Sequence, residues 1–158
     1  MRSVRAIGLA CGLVAFALAI HSWAIASTGS ALGTDLGIAA VAPGELKVSS
    51  GLALHATGLE PGSAPASGRL RVRNITGVPV WIRFRALPST RALDGVLDLR
   101  AGARGQRFAI GRTWTSAPVV LGVRRTLTVR LRAGLRRPVQ GLIADVTLEL
   151  DAIPVRRR

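Results

Sequence analysis

Apolar and basic residues alternate along residues 69–87, the most regularly patterned part of the chain. The apolar positions are Leu70, Val72, Val80, Ile82, Phe84 and Ala86. The positions between them are Arg69, Arg71, Arg73, Trp81, Arg83 and Arg85. A period of two is typical of a strand with one face in a core and the other in water. Because the two halves flank Asn74-Ile75-Thr76-Gly77, the pattern predicts an antiparallel hairpin whose second strand begins near Pro79.

Weaker versions of this pattern predict further strands on both sides of the hairpin. They are expected at residues 46–59, 93–100, 106–110, 112–115, 126–132 and 142–150. Residues 36–41 are a less regular candidate strand. They would pair at the edge of a sheet, or stay mobile until a sheet edge becomes available to them. The turn signals recur at sandwich spacing and no stretch keeps a helical period. We therefore expect an all-β, antiparallel β-sandwich of about eight strands over residues 46–153, after an N-terminal signal helix.

Three of the eight acidic residues lie on the outer face of the last predicted strand. They are Asp145, Glu149 and Asp151. If this strand pairs with residues 126–132, the acids lie opposite Arg130 and Arg132, and opposite charges across a strand pair help to fix its register. We accordingly interpret these acids as structural.

The N-terminus has the three parts of an export signal. Arg2 and Arg5 precede an uninterrupted apolar run over residues 6–20, and Ala24-Ile25-Ala26 offers the small residues that signal peptidase requires. The run is shorter than the roughly 20 residues that span a bilayer. We expect residues 1–26 to be a signal peptide cut after Ala26, giving a secreted or cell-surface protein. The alternative is an uncleaved helix that anchors the domain to the membrane.

The residue inventory argues against enzyme chemistry. The chain has one cysteine, Cys11, which lies in the signal segment, and His55 is the one histidine that would remain after cleavage. A zinc site needs about three nitrogen, oxygen or sulfur ligands, and the chain has no H-E-x-x-H. It also lacks a G-x-S-x-G nucleophile elbow and a glycine-rich phosphate loop before a helix. We expect a non-enzymatic protein with no catalytic residues, no cofactor and no metal.

Charge is the one feature that favours a ligand. The formal net charge is +14, and the predicted hairpin would gather arginines around an aromatic residue. That set is Arg69, Arg71, Arg73, Trp81, Arg83 and Arg85. Guanidinium groups beside an exposed aromatic bind phosphates and stack on bases or sugars. The set is a candidate site for an anionic cell-envelope polymer, without a specific nucleic acid; the alternative is a solvated face that prevents aggregation.

A series of short motifs resembles the TasA/camelysin family of secreted bacterial surface and biofilm-matrix proteins. In chain order they are the N-terminal signal, Leu59-Glu60-Pro61-Gly62-Ser63, Asn74-Ile75-Thr76-Gly77 before Val78-Pro79-Val80, Gln140-Gly141 and Leu150-Asp151-Ala152. The resemblance covers residues 46–152. It implies an Ig-like or jelly-roll sandwich and a structural subunit that assembles by donating its N-terminal strand to a neighbouring copy. Leu150 departs from the family pattern, which usually has an aromatic residue there.

Two functional hypotheses follow. In the first, residues 27–45 are a flexible segment and residues 31–42 complete the sheet of another copy, so that the partner is the protein itself. In the second, the domain is a monomeric cell-surface module that binds anionic polymers through its arginines. A basic tail, residues 154–158, would serve as a disordered end or a tether.

Overall fold

The computed structural model describes residues 33–155, except 117 and 140. The predicted signal helix, the cleavage site at Ala26 and residues 156–158 of the basic tail lie outside the described residues. The described residues contain no helix with the length and apolar character that crossing a bilayer requires.

Within this range the chain folds into ten strands and one short 3-10 helix, Arg91–Leu93. The strands are β1 (Thr34–Val41), β2 (Leu46–Val48), β3 (Leu52–Leu59), β4 (Ala66–Asn74), β5 (Val80–Pro88), β6 (Leu97–Ala103), β7 (Gln106–Ile110), β8 (Val119–Leu121), β9 (Thr126–Leu135) and β10 (Ile143–Pro154). Sheet 1 has the order β3-β1-β10-β5-β8, and sheet 2 has the order β2-β4-β9-β6-β7. The predicted all-β sandwich is confirmed, with ten strands instead of about eight and with one parallel pair, β1 and β10, in place of purely antiparallel sheets.

The strand count differs because a turn divides one expected strand and because one expected connection forms a strand. Residues 46–59 were expected as one strand, but Gly51 adopts a φ of 87° and the chain passes there from β2 in sheet 2 to β3 in sheet 1. Residues 119–121, expected as a connection, form the short edge strand β8, whereas the strand expected at 112–115 is absent from the described structure. Three-residue strands carry too little alternation to be recognised in a sequence.

The predicted antiparallel hairpin at residues 69–87 is wrong, although both of its strands exist. β4 belongs to sheet 2 and β5 to sheet 1, so the connection crosses from one sheet to the other. Asn74, fully buried, holds this crossover: its amide donates to the carbonyl oxygens of Val78 at 2.7 Å, Gly122 at 3.2 Å and Leu121 at 3.3 Å. Its side-chain oxygen accepts from the backbone and hydroxyl of Thr76. The Asn-x-Thr segment therefore closes an arch between sheets.

The pairing of the last strand with residues 126–132, which is the condition for placing its acids near Arg130 and Arg132, does not occur. β10 pairs antiparallel with β5 and parallel with β1, whereas β9 lies in sheet 2 between β4 and β6. Glu149 and Asp151 therefore lie opposite Arg85 and Arg83. The alternation correctly predicts which side chains of both strands face the core, but it carries no information about which sheet a strand joins.

β1 is an internal strand of the sandwich. It lies between β3 and β10 and pairs with both, so the expectation of an edge or mobile segment is wrong for residues 34–41. Leu36 and Ile38 are 1% and 0% exposed, which makes them part of the core. The sandwich consequently begins with β1, whereas the sequence predicts that it begins at residue 46.

The core fills the space between the two sheets with the inward residues of the alternating pattern. Its largest fully buried side chain is Phe84, which is accompanied by Ile82, Leu70 and Leu131. At one end the sheets approach so closely that a Cβ on Gly68 would overlap the carbonyl oxygen of Ala53 and lie 2.6 Å from the Cβ of Leu54. Because the apolar faces of both sheets point inward, their outer faces lie on opposite sides of the molecule.

Candidate polyanion-binding face

The six residues of the predicted anion site do not form one surface. Arg69, Arg71 and Arg73 lie on β4 and project from the outer face of sheet 2. Trp81, Arg83 and Arg85 lie on β5 and project from the outer face of sheet 1. The arch at Asn74 separates the two groups. The prediction of a single face is therefore wrong, because β4 and β5 do not form the hairpin that would create it.

On sheet 1 the arginines are already neutralised. Arg83 forms an ion pair with Asp151, and Arg85 forms one with Glu149 at 2.6 Å. The guanidinium of Arg85 also lies 4.5 Å from the centroid of the Trp114 ring, and that of Arg83 lies 5.6 Å from it. Acids and an aromatic ring thus satisfy these two cations, which leaves them as structural parts of the sheet.

Trp81 shares the outer face of β5 with Arg83 and Arg85, but its own register partners are apolar. It lies between Ile153 of β10 and Val120 of β8 on the outer face of sheet 1 and is 40% exposed. The three side chains form a short apolar row. The expected combination of Trp81 with Arg69, Arg71 and Arg73 is therefore not present.

Sheet 2 carries an array of cations that we call the basic face. Its members are Lys47, Arg69, Arg71, Arg73, Arg100, Arg107, Arg130 and Arg132, all exposed on the outer side of the strands. Three members of the predicted site belong to it. The others were missed: the alternation placed Arg130 and Arg132 outward, but without the strand order they were assigned to the acids of the last strand.

Like charges face each other across neighbouring strands of the basic face. Arg69 of β4 is the register partner of Arg130 of β9. Arg132 of β9 is the partner of Arg100 of β6. Lys47 of β2 is the partner of Arg73. Directly opposite residues have Cβ atoms only about 4.5–5.5 Å apart, and like charges in such pairs are destabilising.

Asp98 is the one acidic residue on the strands of this face within the described residues. Hydrogen bonds from Arg100 lower its pKa below the usual 3.8 against the opposing effect of burial, and Arg136 contributes in the same direction. Arg100 and Arg136 approach its carboxylate oxygens at 3.1 and 3.4 Å. Among the described residues, the remaining members of the basic face form no ion pair with a carboxylate.

A groove of about 870 Å³ runs over β9, β6, β7 and the turn between β6 and β7. Its cationic lining residues are Arg69, Arg100, Arg104, Arg107, Arg130 and Arg132. Its lining contains no acidic side chain, and its one aromatic residue, Phe108, packs against Phe84 at a ring-centroid distance of 5.5 Å. The groove therefore offers guanidinium groups without an exposed ring for stacking.

The described residues show no candidate metal site. His55 is exposed on β3 opposite Gly37, and within the described residues no three histidine, cysteine or acidic side chains are grouped so as to hold a metal ion. The basic face is the feature with the clearest capacity for ligand chemistry.

In comparisons with known proteins, no family model and no curated protein matches the chain. The resemblance to the TasA/camelysin family stays a prediction from its short motifs.

Proposed function

We propose that this protein is a non-enzymatic binding module for anionic polymers outside the cell, and that the basic face is its binding surface. The observation that carries the proposal is the set of arginines placed directly opposite one another, with Arg69 against Arg130 and Arg132 against Arg100. Design practice for soluble proteins intersperses both signs of charge and keeps large fields of one sign for attracting charged ligands. This face instead carries cations over five neighbouring strands, and Asp98 is the one acidic residue on those strands within the described residues.

A bound polyanion would remove an electrostatic cost that the free protein carries. Each directly opposed cation pair is destabilising, and an anion between the two guanidinium groups turns repulsion into attraction. Arginine also presents a planar set of donors that matches phosphate and carboxylate oxygens. The face is suited to the charged backbone or pendant groups of a polymer, since sequence-independent charge contacts need no base recognition.

Two triple variants with the same net charge test this proposal. The first is Arg69→Gln, Arg107→Gln and Arg130→Gln, which empties the centre of the basic face. The control is Arg91→Gln, Arg125→Gln and Arg137→Gln, whose exposed arginines lie outside the strands of sheet 2.

The measurement is the affinity for long-chain polyphosphate over a range of salt concentrations. We expect the face variant to lose most of its affinity, with a salt slope smaller by about 2, since each neutralised phosphate contributes about 0.7–0.9 to that slope. The control variant should stay close to the wild type. Equal losses in the two variants would show that net charge alone attracts the polymer, and the proposed surface would be wrong.

Export is part of the proposal and has its own measurement. The intact mass of protein recovered from outside the cells should correspond to a chain that begins at Ser27. A mass that retains residues 1–26 would instead indicate a membrane-anchored domain.

A second candidate function is the surface or matrix subunit that assembles by strand addition. The observation in its favour is the position of β1, which forms backbone pairs with β3 on one side and β10 on the other. The same strand from a neighbouring copy would make the same pairs, because main-chain hydrogen bonds do not depend on which chain supplies the strand.

A cysteine pair distinguishes the two sources of β1. Ala39 and Thr147 are register partners between β1 and β10, and Leu87 is the partner of Thr147 on β5. In a chain starting at Ser27, Ala39→Cys with Thr147→Cys should form intermolecular disulfides if β1 is donated. The control, Leu87→Cys with Thr147→Cys, should close within one chain in either case. Intramolecular closure of the β1 pair in every oligomer would exclude strand addition.

A further inference from the structure

Gly102 on β6 is a position without a side chain within the basic face. Its register partners are Arg130 of β9 on one side and Arg107 of β7 on the other. A Cβ placed on Gly102 would meet only the carbonyl oxygen of Gln106, at 3.7 Å. Glycine within a strand weakens the strand and often marks a site that a ligand approaches closely. The floor of the groove is therefore bare backbone at a point flanked by cations.

Two more arginines lie two residues away along the same strand direction. Arg100 precedes Gly102 on β6 at an expected spacing of about 6.8 Å, and Arg104 follows it in the turn between β6 and β7. Arg100 is paired with Asp98 through its Nε and Nη2 atoms. The other three arginines around Gly102, namely Arg104, Arg107 and Arg130, have no carboxylate partner among the described residues. We call the space above Gly102, bounded by Arg100, Arg104, Arg107 and Arg130, the Gly102 socket.

Arg104 occupies its place at a conformational cost. With Gly105 it forms the two-residue turn between β6 and β7, and their φ angles are 51° and 80°. Positive φ at both positions defines a type I′ turn, for which Asn-Gly is the preferred sequence. An arginine in the left-handed region is strained, and such strain is found where function requires a particular side chain. Arg104 thus adds a cation to the groove, at a position where asparagine would suit the turn but would carry no charge.

We infer that the Gly102 socket binds a single tetrahedral oxyanion, a phosphate or sulfate group, as part of a polymer bound along the basic face. This inference rests on the proposed function and adds the class of group that the face selects. A carboxylate has two oxygens and is satisfied by one guanidinium fork. Cations on both neighbouring strands and along β6 suit an anion with three or four oxygens, each of which accepts from a different arginine.

The socket can be filled without any change in charge. In Gly102→Val the side chain occupies the bare position, and the variant should fold because the Cβ fits and valine favours strands. The matched control is Gly134→Val on β9 of the same sheet, where a Cβ would meet Pro65 at 3.8 Å. Gly134 lies opposite Asp98, outside the groove.

The probes are pyrophosphate, long-chain polyphosphate, and polyglutamate as a carboxylate polymer of similar length. We expect Gly102→Val to weaken pyrophosphate binding by about tenfold or more, which corresponds to the loss of one or two charge-assisted hydrogen bonds. It should also remove the preference for polyphosphate over polyglutamate while leaving polyglutamate binding unchanged. Gly134→Val should behave like the wild type. Vesicles of phosphatidylcholine with and without phosphatidylglycerol then show whether a lipid headgroup supplies the phosphate as well as a soluble chain.

The outcomes separate this inference from the proposed function. If Gly102→Val binds pyrophosphate as tightly as the wild type, or if the wild type shows no preference for phosphate over carboxylate, the socket is refuted. The proposed function then still stands provided that Arg69→Gln, Arg107→Gln and Arg130→Gln together abolish polyphosphate binding. If that triple variant binds normally, the basic face itself is refuted.

Discussion

Replacing Arg130 by glutamine should make the protein more stable at low salt. Arg130 is the register partner of Arg69, and two unit charges about 7 Å apart in water repel by about 0.6 kcal/mol. Arg132 lies two residues further along the same strand and adds a repulsion of similar size. We therefore expect Arg130→Gln to raise the free energy of unfolding by about 1 kcal/mol at low ionic strength.

The salt dependence of this gain identifies its cause. At 1 M salt the Debye length is only about 3 Å, so charges on the surface of sheet 2 no longer repel each other appreciably. The stability difference between Arg130→Gln and the wild type should then fall toward zero. Urea unfolding at low and at high ionic strength measures both values, with the linear slope confirming that the same surface is exposed in each protein.

Arg85 provides a control with the opposite sign. Its guanidinium pairs with Glu149 at 2.6 Å and lies over Trp114, so Arg85→Gln should lower the free energy of unfolding by about 1 kcal/mol. If Arg130→Gln is no more stable than the wild type at low salt, or if its gain persists at 1 M salt, the repulsion that supports the proposed function does not exist.

Three further changes test other parts of the structure. Asn74→Ala should lower stability by about 2 kcal/mol or more, measured by urea unfolding, because buried carbonyl groups and the hydroxyl of Thr76 lose their partner; an unchanged value would contradict the arch. Gly68→Ala should lower the melting temperature because its Cβ overlaps the neighbouring strand, whereas Gly44→Ala, with no atom within 4 Å of its Cβ, should not; equal behaviour would exclude the close approach. Because the folded-state pKa of Asp98 lies below its usual 3.8, its stabilising contribution is present above that value and is lost as the pH falls through the lowered pKa. The stability difference between wild type and Asp98→Asn should therefore shrink as the pH falls below 3.8; a difference that does not depend on pH in this range would contradict the ion pairs.

The direction of the side chains could be predicted from the sequence, but the order of the strands could not. In β4, β5, β9 and β10 the apolar positions of the alternating pattern are the buried ones. The period of two arises locally, from the geometry of one extended chain. Pairing depends on contacts between distant segments, and nothing in the pattern of a single strand records its neighbour.

The arch at Asn74 shows the consequence for the candidate site. An Asn-x-Thr-Gly segment between two strands is compatible with a hairpin turn and with a crossover between sheets. The difference depends on Leu121 and Gly122, whose carbonyl oxygens accept from the Asn74 amide and which lie far away in the sequence. A hairpin would bring Arg83 and Arg85 beside Arg71, whereas the crossover leaves β4 next to β9, with Arg69 opposite Arg130.

The central claim is that an anionic polymer binds to the outer face of sheet 2, and arginine side-chain signals test it most directly. In an NMR titration with long-chain polyphosphate, the Nε–H groups of Arg69, Arg107 and Arg130 should shift together and saturate. Those of Arg83 and Arg85, held by carboxylates on sheet 1, should stay in place. Shifts centred on Arg83 and Arg85, or equal small shifts of all five arginines, would contradict the account.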